Sequence, residues 1–256
     1  MSDRIVLLAG PGEPTFLVAN YLTARYPNVA VIIEEPVPRV TLARRRARRL
    51  GWVEVAGQVA FVTAALPLLR RSSRARAAEI LAGARLSNRP VTDVHAVASV
   101  NGPETAVLLG ELDPTVVVVN GTRIISDAIL RGIACPVINI HAGITPRYRG
   151  VHGGYWAMAE GRPDLVGTTV HLVDAGIDTG GVLARAYFTP EAADSIATYP
   201  YRHLADGLPL LAAQIDKVLG GEELVEAEPL SDDGPSQLRW HPTIWGYLGG
   251  RRRGVR

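Results

Sequence analysis

The sequence predicts an α/β protein with an open, mainly parallel sheet and helices on both faces. Short apolar runs of strand length recur along the chain, and a helix-period segment follows the first of them after a Gly-Pro-Gly turn. Thr115 to Val119, with four valines behind Asp113-Pro114, has the composition of a strand buried on both faces. With 256 residues, 47% hydrophobic and 20% charged, the chain can bury a full core as one large domain, or one plus a small appendage.

Arg4 to Ala9 reads as the first strand, Gly10-Pro-Gly12 as its turn, Thr15 to Ala24 as a helix and Val29 to Ile33 as the second strand, the opening βαβ of an open sheet. From Thr41 to Leu86 an Arg-rich start, an apolar middle and an Arg/Ala-rich end predict a helical insertion. Strand patterns return at Val94 to Val97, Thr115 to Val119 and Pro136 to Ile140. Ser126 to Arg131 is a short helix with Ser126 as its cap and Gly132 as its stop. A Gly/Pro-rich loop spans Ala142 to Gly154 and a helix surrounds Tyr155 to Glu160. Gly167 to Val173 alternates as a strand, Gly176 to Gly181 turns, Val182 to Phe188 is a further strand, and Tyr201 to Leu219 is an amphipathic helix. Residues 1–219 thus form the main domain, and 220–256 a C-terminal extension. The tryptophans of Trp240 to Trp245 are expected to pack back on the core or on a partner subunit.

No run reaches the ~20 uninterrupted apolar residues of a membrane span, because Arg, Pro or Gly breaks each one. Asp3 stands where a secretory signal would be basic, so a cytoplasmic protein is expected. Cys135 is the only cysteine, which excludes an internal disulfide and a thiolate-rich metal site; it reads as a small buried residue. The net charge of +2 makes no general case for nucleic-acid binding. Positive charge gathers instead in Arg39 to Arg49, Arg70 to Arg76 and Arg251 to Arg256. The insertion's arginines have three readings: a seat for a phosphate-bearing substrate, a basic surface making weak contact with anionic lipid, or a solvated helical face.

The chemistry concentrates in Asn139-Ile-His141-Ala-Gly-Ile-Thr-Pro146-Arg-Tyr-Arg-Gly150, at the end of an apolar strand. Alternation along that strand sends Asn139 and His141 to one side and Ile140 to the other. An amide donor and a titratable imidazole suit acyl transfer, which needs a donor for the oxygen that becomes negative and a group that manages protons near neutral pH. Asp178, among the glycines of the run from Gly167 to Gly181, supplies a carboxylate. Near His141 it is expected to raise the imidazole pKa and favour imidazolium.

Asn139-Ile-His141, Pro146-Arg-Tyr-Arg-Gly150, Gly167-Thr-Thr-Val-His171 and Asp178-Thr-Gly-Gly-Val-Leu183 together resemble the 10-formyltetrahydrofolate-dependent formyltransferases. The resemblance is dense from Thr115 to Ala186. It implies a Rossmann-related formyltransferase fold and a one-carbon transferase, with 10-formyltetrahydrofolate as co-substrate and no metal. By resemblance Asn139 would bind the formyl oxygen, His141 would stabilise the oxyanion, and Asp178 would orient His141 and help relay the amine's proton. The same resemblance places the folate's pterin head against the backbone of Arg123, Ile124 and Ile125 and the loop bearing Val173, Asp174 and Ile177.

On the acceptor side, Gly10, Gly12, His152 and Tyr155 are candidates. Many family members read His-Pro-Ser-Leu-Leu-Pro where this chain reads His141-Ala-Gly-Ile-Thr-Pro146, so altered acceptor contacts are expected. In Gly10-Pro-Gly-Glu-Pro14 the prolines remove amide donors and Glu13 repels a phosphate, which weighs against glycinamide ribonucleotide as acceptor. By the same resemblance, the short stretch after the helical segment makes a methionyl-tRNA formyltransferase less expected, and the start at the first strand does the same for a formyltetrahydrofolate hydrolase. The expected acceptor is a small-molecule amine, with an amino-sugar nucleotide favoured and the purine and hydrolase activities as alternatives. His141, His152 and Asp178 lack the spacing of a metal site, and the Gly10 turn lacks the third glycine of a dinucleotide fingerprint.

Overall fold

The computed structural model describes residues 3–231 and 234–256; Met1, Ser2 and the Asp232-Asp233 pair of the turn-rich tail lie outside the described residues. Its main sheet has seven strands in the order β3-β2-β1-β4-β5-β7-β8. These are β1 Ile5–Ala9, β2 Val29–Glu34, β3 His95–Val97, β4 Val116–Asn120, β5 Val137–His141, β7 Gly167–Leu172 and β8 Val182–Tyr187. The five strands from β3 to β5 run parallel, while β7 and β8 are antiparallel additions. Short strands β6, Tyr148–Gly150, and β9, Gln237–Arg239, pair separately.

The two central strands are buried throughout, which is why β1 is an unbroken apolar run and β4 is one up to its last residue, Asn120, with no polar alternation. Their alternate residues feed different cores. Ile5, Leu7, Val116 and Val118 meet Leu17 and Leu22 of helix α1, Glu13–Arg25, and Leu208 and Leu211 of helix α9, Tyr199–Leu219. Val6, Leu8, Val117 and Val119 face Leu109 of α6, Pro103–Leu112, and Ile129 of α7, Asp127–Arg131. Ser126 occupies the N-cap position of α7, but its side chain makes no capping hydrogen bond. Cys135 packs against the core that holds Leu109 and Ile129 but is only partly buried, a correction to its reading as a buried residue.

Between β2 and β3 the chain is helical: α2 Arg39–Leu50, α3 Trp52–Ala60, a π-helical turn Phe61–Ala65, α4 Leu66–Ser72 and α5 Arg74–Gly83. Here the expectation that glycine and proline interrupt every apolar run is corrected. Trp52–Ser72 is one helix long and apolar enough to cross a membrane by length and composition. Gly57 stays helical beneath the Trp245 ring. Pro67 falls just where π bonding returns to α bonding, after the Leu66 amide has bonded the Phe61 carbonyl, so the amide it lacks leaves no gap.

A second core lies between these helices and the loop after β5. Phe61 and Leu66 pack there with Ile144, Tyr148, Val166 and Phe188, and with Tyr155 of α8, Gly153–Ala159, and Tyr247 of α10, Ile244–Arg252. The C-terminal extension closes over it. The Trp156 indole donates to the Trp240 carbonyl at 3.0 Å, Arg46 stacks over the Trp240 ring, and Thr243 caps α10 by accepting from the Gly246 amide.

Candidate active site

Parallel pairing with β4 carries β5 to the carboxyl end of the sheet, where open α/β sheets bind ligands. Ile138 and Ile140 enter the core under α9, whereas Val137 enters the opposite one. Asn139 and His141 therefore share the side opposite α9, and antiparallel β7 sets His171 directly across from Asn139. Thr168 and Thr169 explain the paired threonines of the β7 motif. Their hydroxyls donate to the carbonyls of His141 and Gly143, each at 2.8 Å, and Thr169 Oγ1 also accepts from the Thr145 amide.

Asp178 stands at the centre, held at φ 51, a left-handed conformation uncommon for non-glycine residues. Its Oδ2 accepts from the Gly150 amide at 2.8 Å and lies 3.4 Å from His141 Nδ1. Its Oδ1 lies 3.5 Å from Asn139 Nδ2. The loop around it is pinned: Asp174 accepts from the Gly176 amide and the Thr179 hydroxyl, and Arg149 donates to the Ile177 carbonyl at 3.1 Å. A Cβ on Gly180 would strike the Leu172 carbonyl, so this turn admits no side chain there.

His171 was not singled out by sequence reasoning, yet it fixes Asn139. Its Nδ1 donates to the Leu172 carbonyl at 2.7 Å, which leaves Nε2 bare to accept from Asn139 Nδ2 at 3.0 Å. The amide nitrogen thus faces inward by necessity, and its second N–H makes only the long contact with Asp178. Strand alternation was the available signal, since Gly167, Thr169 and His171 share a face.

His141 is 5% exposed. Burial pushes its pKa below the ordinary 6.5, outweighing the opposing pull of Asp178 and the hydrogen bond to the Tyr148 carbonyl. The expected upward shift is therefore corrected: removal from water acts more strongly than the neighbouring carboxylate. His141 Nε2 donates to the Tyr148 carbonyl at 2.8 Å, so in the neutral ring Nδ1 is the bare nitrogen. Burial also opposes ionisation of Asp178, but the pull of the neighbouring His141 imidazole and the Gly150 amide prevail and hold it at about 2. At Gly143 a Cβ would meet the Tyr148 carbonyl and His141 Nε2, so the turn admits no side chain there.

The folate-side segments lie against one another. Ile125 is buried in the same apolar cluster that Val173 joins, while Ile124 beside it is 56% exposed. The exposed Ile124 side chain leaves an apolar surface beside this loop. Buried Glu34 holds the segment, accepting from the Arg123 amide at 2.6 Å while pairing with its guanidinium. That amide is consequently unavailable to a ligand, and the Ile124 carbonyl already accepts from Asn101.

The acceptor-side candidates stand in different settings. Tyr155 is 2% exposed inside the second core, against Trp156 and Tyr247, so its placement in an amine pocket is corrected. His152, at the head of α8, shares a hydrogen bond of 2.9 Å with His241, and burial holds it near 3. Gly10 has a packing role, because a Cβ would overlap the Gly121 carbonyl, and Gly12 turns the chain at φ 127. Among the described residues no group of three or more His, Cys, Asp or Glu is placed to hold a metal.

Comparison with known proteins gives the family and the fold. Methionyl-tRNA formyltransferase of Anaeromyxobacter dehalogenans is 32% identical over 194 residues, covering 70% of this chain and 58% of the relative. The chain spans about half the length of the curated relatives it matches. Glycinamide ribonucleotide transformylase 1 from Symbiobacterium toebii superposes with a TM-score of 0.56 at 18% identity, over 88% of this chain and 91% of that one. The N-formyltransferase from Helicobacter canadensis, in complex with folinic acid and dTDP-3-aminofucose, gives 0.53 at 15% identity, over 91% and 70%. These two share the fold. The formyl transferase family profile matches residues 28–210, and the chain belongs to that family.

Proposed function

We propose that this chain moves the formyl group of 10-formyltetrahydrofolate onto the primary amine of a small-molecule acceptor, an amino-sugar nucleotide being favoured. The observation that carries the reading is the convergence of Asn139 and His141 on Asp178, with His171 fixing Asn139. As the amine attacks the formyl carbon, a C–N bond forms and the carbonyl oxygen becomes negative. The second N–H of Asn139, spent at rest on a 3.5 Å contact, is the donor that turns to that oxygen. Neutral His141 accepts a proton at Nδ1, where Asp178 and the new oxyanion both favour the cation. The bond to the folate nitrogen then breaks, and the proton passes to that nitrogen, so tetrahydrofolate leaves neutral at the reacting atom.

The turn after β1 supports a sugar acceptor over the purine intermediate. Glu13 is fixed there by Asn88 at 2.7 Å and Tyr201 at 2.8 Å, and Pro14 removes a first-turn amide of α1. An anion at this turn would meet a carboxylate and one donor fewer. The Helicobacter canadensis enzyme, whose complex contains an amino-sugar nucleotide, shares the fold. The test is a mass-spectrometric panel of nucleotide amino sugars, glycinamide ribonucleotide and charged initiator tRNA, each incubated with the chain and 10-formyltetrahydrofolate. A formyl mass gain on a nucleotide amino sugar is expected. Formate release of equal rate without any amine would contradict the reading and identify a hydrolase.

A further inference from the structure

We propose that α2, the rod formed by α3, the π turn and α4, and the C-terminal helix α10 form a docking face for an anionic lipid bilayer, with the rod lying in the plane of its surface. Only 28% of the rod's most apolar stretch is buried. Its inner face is core: Val55, Phe61 and Leu66 are fully covered. The outer face is apolar as well, with Trp52 65%, Val53 77% and Leu68 69% exposed and Val59 about half exposed. From Leu50 to Leu69 the single charge is Glu54. A helix apolar all round normally has protein on every side, and among the described residues this one has protein on one.

Helix α10 widens the apolar band. Trp245 seats its ring on Gly57, and both Trp245 and Leu248 remain half exposed.

Charge surrounds the band. Arg39 to Arg76 contains ten arginines against one glutamate. Arg76 is bound to Glu79, Glu191 and Asp194, and Arg46 to the Trp240 ring. Arg44, Arg45, Arg48 and Arg49 of α2 and Arg70 and Arg71 of α4 are exposed, with no ion pair among the described residues. Arginine beside exposed Trp, Val and Leu matches the bilayer interface, where guanidinium groups meet anionic headgroups and apolar side chains enter the acyl boundary.

Other occupants fit less well. A spanning role would pull Phe61 and Leu66 out of the second core, which holds α8 and α10 in place. A second copy would bring arginine against arginine. Nucleic acid would satisfy the arginines but leave the apolar band facing phosphate.

The test is flotation of the whole chain with vesicles of mixed phosphatidylglycerol and phosphatidylcholine, and with vesicles of phosphatidylcholine alone. At least about tenfold tighter binding to the anionic vesicles is expected, weakening with salt. Val53→Ser with Leu68→Ser, and separately Arg44→Gln with Arg45→Gln, should each lower it about tenfold at unchanged melting temperature. All four positions are exposed, so the fold tolerates the changes. The proposal is overturned if the chain stays in solution with anionic vesicles at low salt, or if both vesicle types bind alike. It is overturned equally if the Val53/Leu68 variant merely splits a dimer, or if tRNA binds the parent and that variant equally while vesicles bind neither.

Discussion

At the carboxyl end of β5, Asp178 divides its carboxylate among the Gly150 amide, His141 and Asn139, and His171 holds Asn139 from behind. Along α3 and α4, Trp52, Val53 and Leu68 stand in solvent between arginines that no acid answers among the described residues. The first region satisfies its polar groups internally, as a preorganised site must if it is not to reorganise during the reaction. The second leaves apolar area and charge for something outside the chain. The contrast separates chemistry from location: changes near Asp178 should alter turnover, and changes along the rod should alter where the protein sits.

The largest expected effect lies in the first region. Asn139→Ala and Asp178→Ala should each lower kcat about a hundredfold or more, the size of losing an oxyanion donor. In the same solution assay Val53→Ser with Leu68→Ser should leave turnover unchanged, and a fall comparable to that of Asn139→Ala would dissolve the separation.

Next come backbone tolerances. Gly180→Ala forces a methyl onto the Leu172 carbonyl and should destabilise by about 1–3 kcal/mol in denaturant unfolding. Gly83→Ala at the end of α5 meets nothing within 4 Å and should stabilise slightly, by about 0.5 kcal/mol.

Acid should loosen the framework through buried histidines that the reaction does not use. His203 is 2% exposed, and burial lowers its pKa from 6.5 to about 3. The unfolded chain therefore takes up this proton first. The stabilisation is complete above 6.5 and is lost as pH falls toward about 3, by about 1.4 kcal/mol per pH unit within that window. His203→Phe should flatten this part of the stability–pH curve measured by urea unfolding, and an unchanged slope would contradict the assignment.

The smallest effect belongs to the arginines. Arg44→Gln with Arg45→Gln should change folding stability by less than about 0.5 kcal/mol, because exposed side chains without partners add little.

Much of this was legible in the chain. The apolar runs of β1 and β4 can be nothing but central strands, and alternation alone puts Asn139 and His141 on one side of β5. Asp178 stood out by its glycine-rich turn. What stayed hidden depends on distant pairing. His171 matters because antiparallel β7 sets it opposite Asn139, a register no local pattern states. The direction of the His141 shift depends on how completely the folded chain excludes water from the ring. Tyr155 turned inward because α10, nearly a hundred residues later, covers it. The run through Gly57 and Pro67 looks broken in sequence because local propensity disfavours both in a helix, while a π turn and the Trp245 ring accommodate them.

The central claim is that Asn139, His141 and Asp178 carry out formyl transfer. The most direct measurement is the single-turnover rate of formyl transfer from 10-formyltetrahydrofolate to the amine the panel identifies, for the parent and for Asn139→Ala. A loss of about a hundredfold or more with folate binding retained is expected. Equal rates for the two proteins would place the chemistry elsewhere.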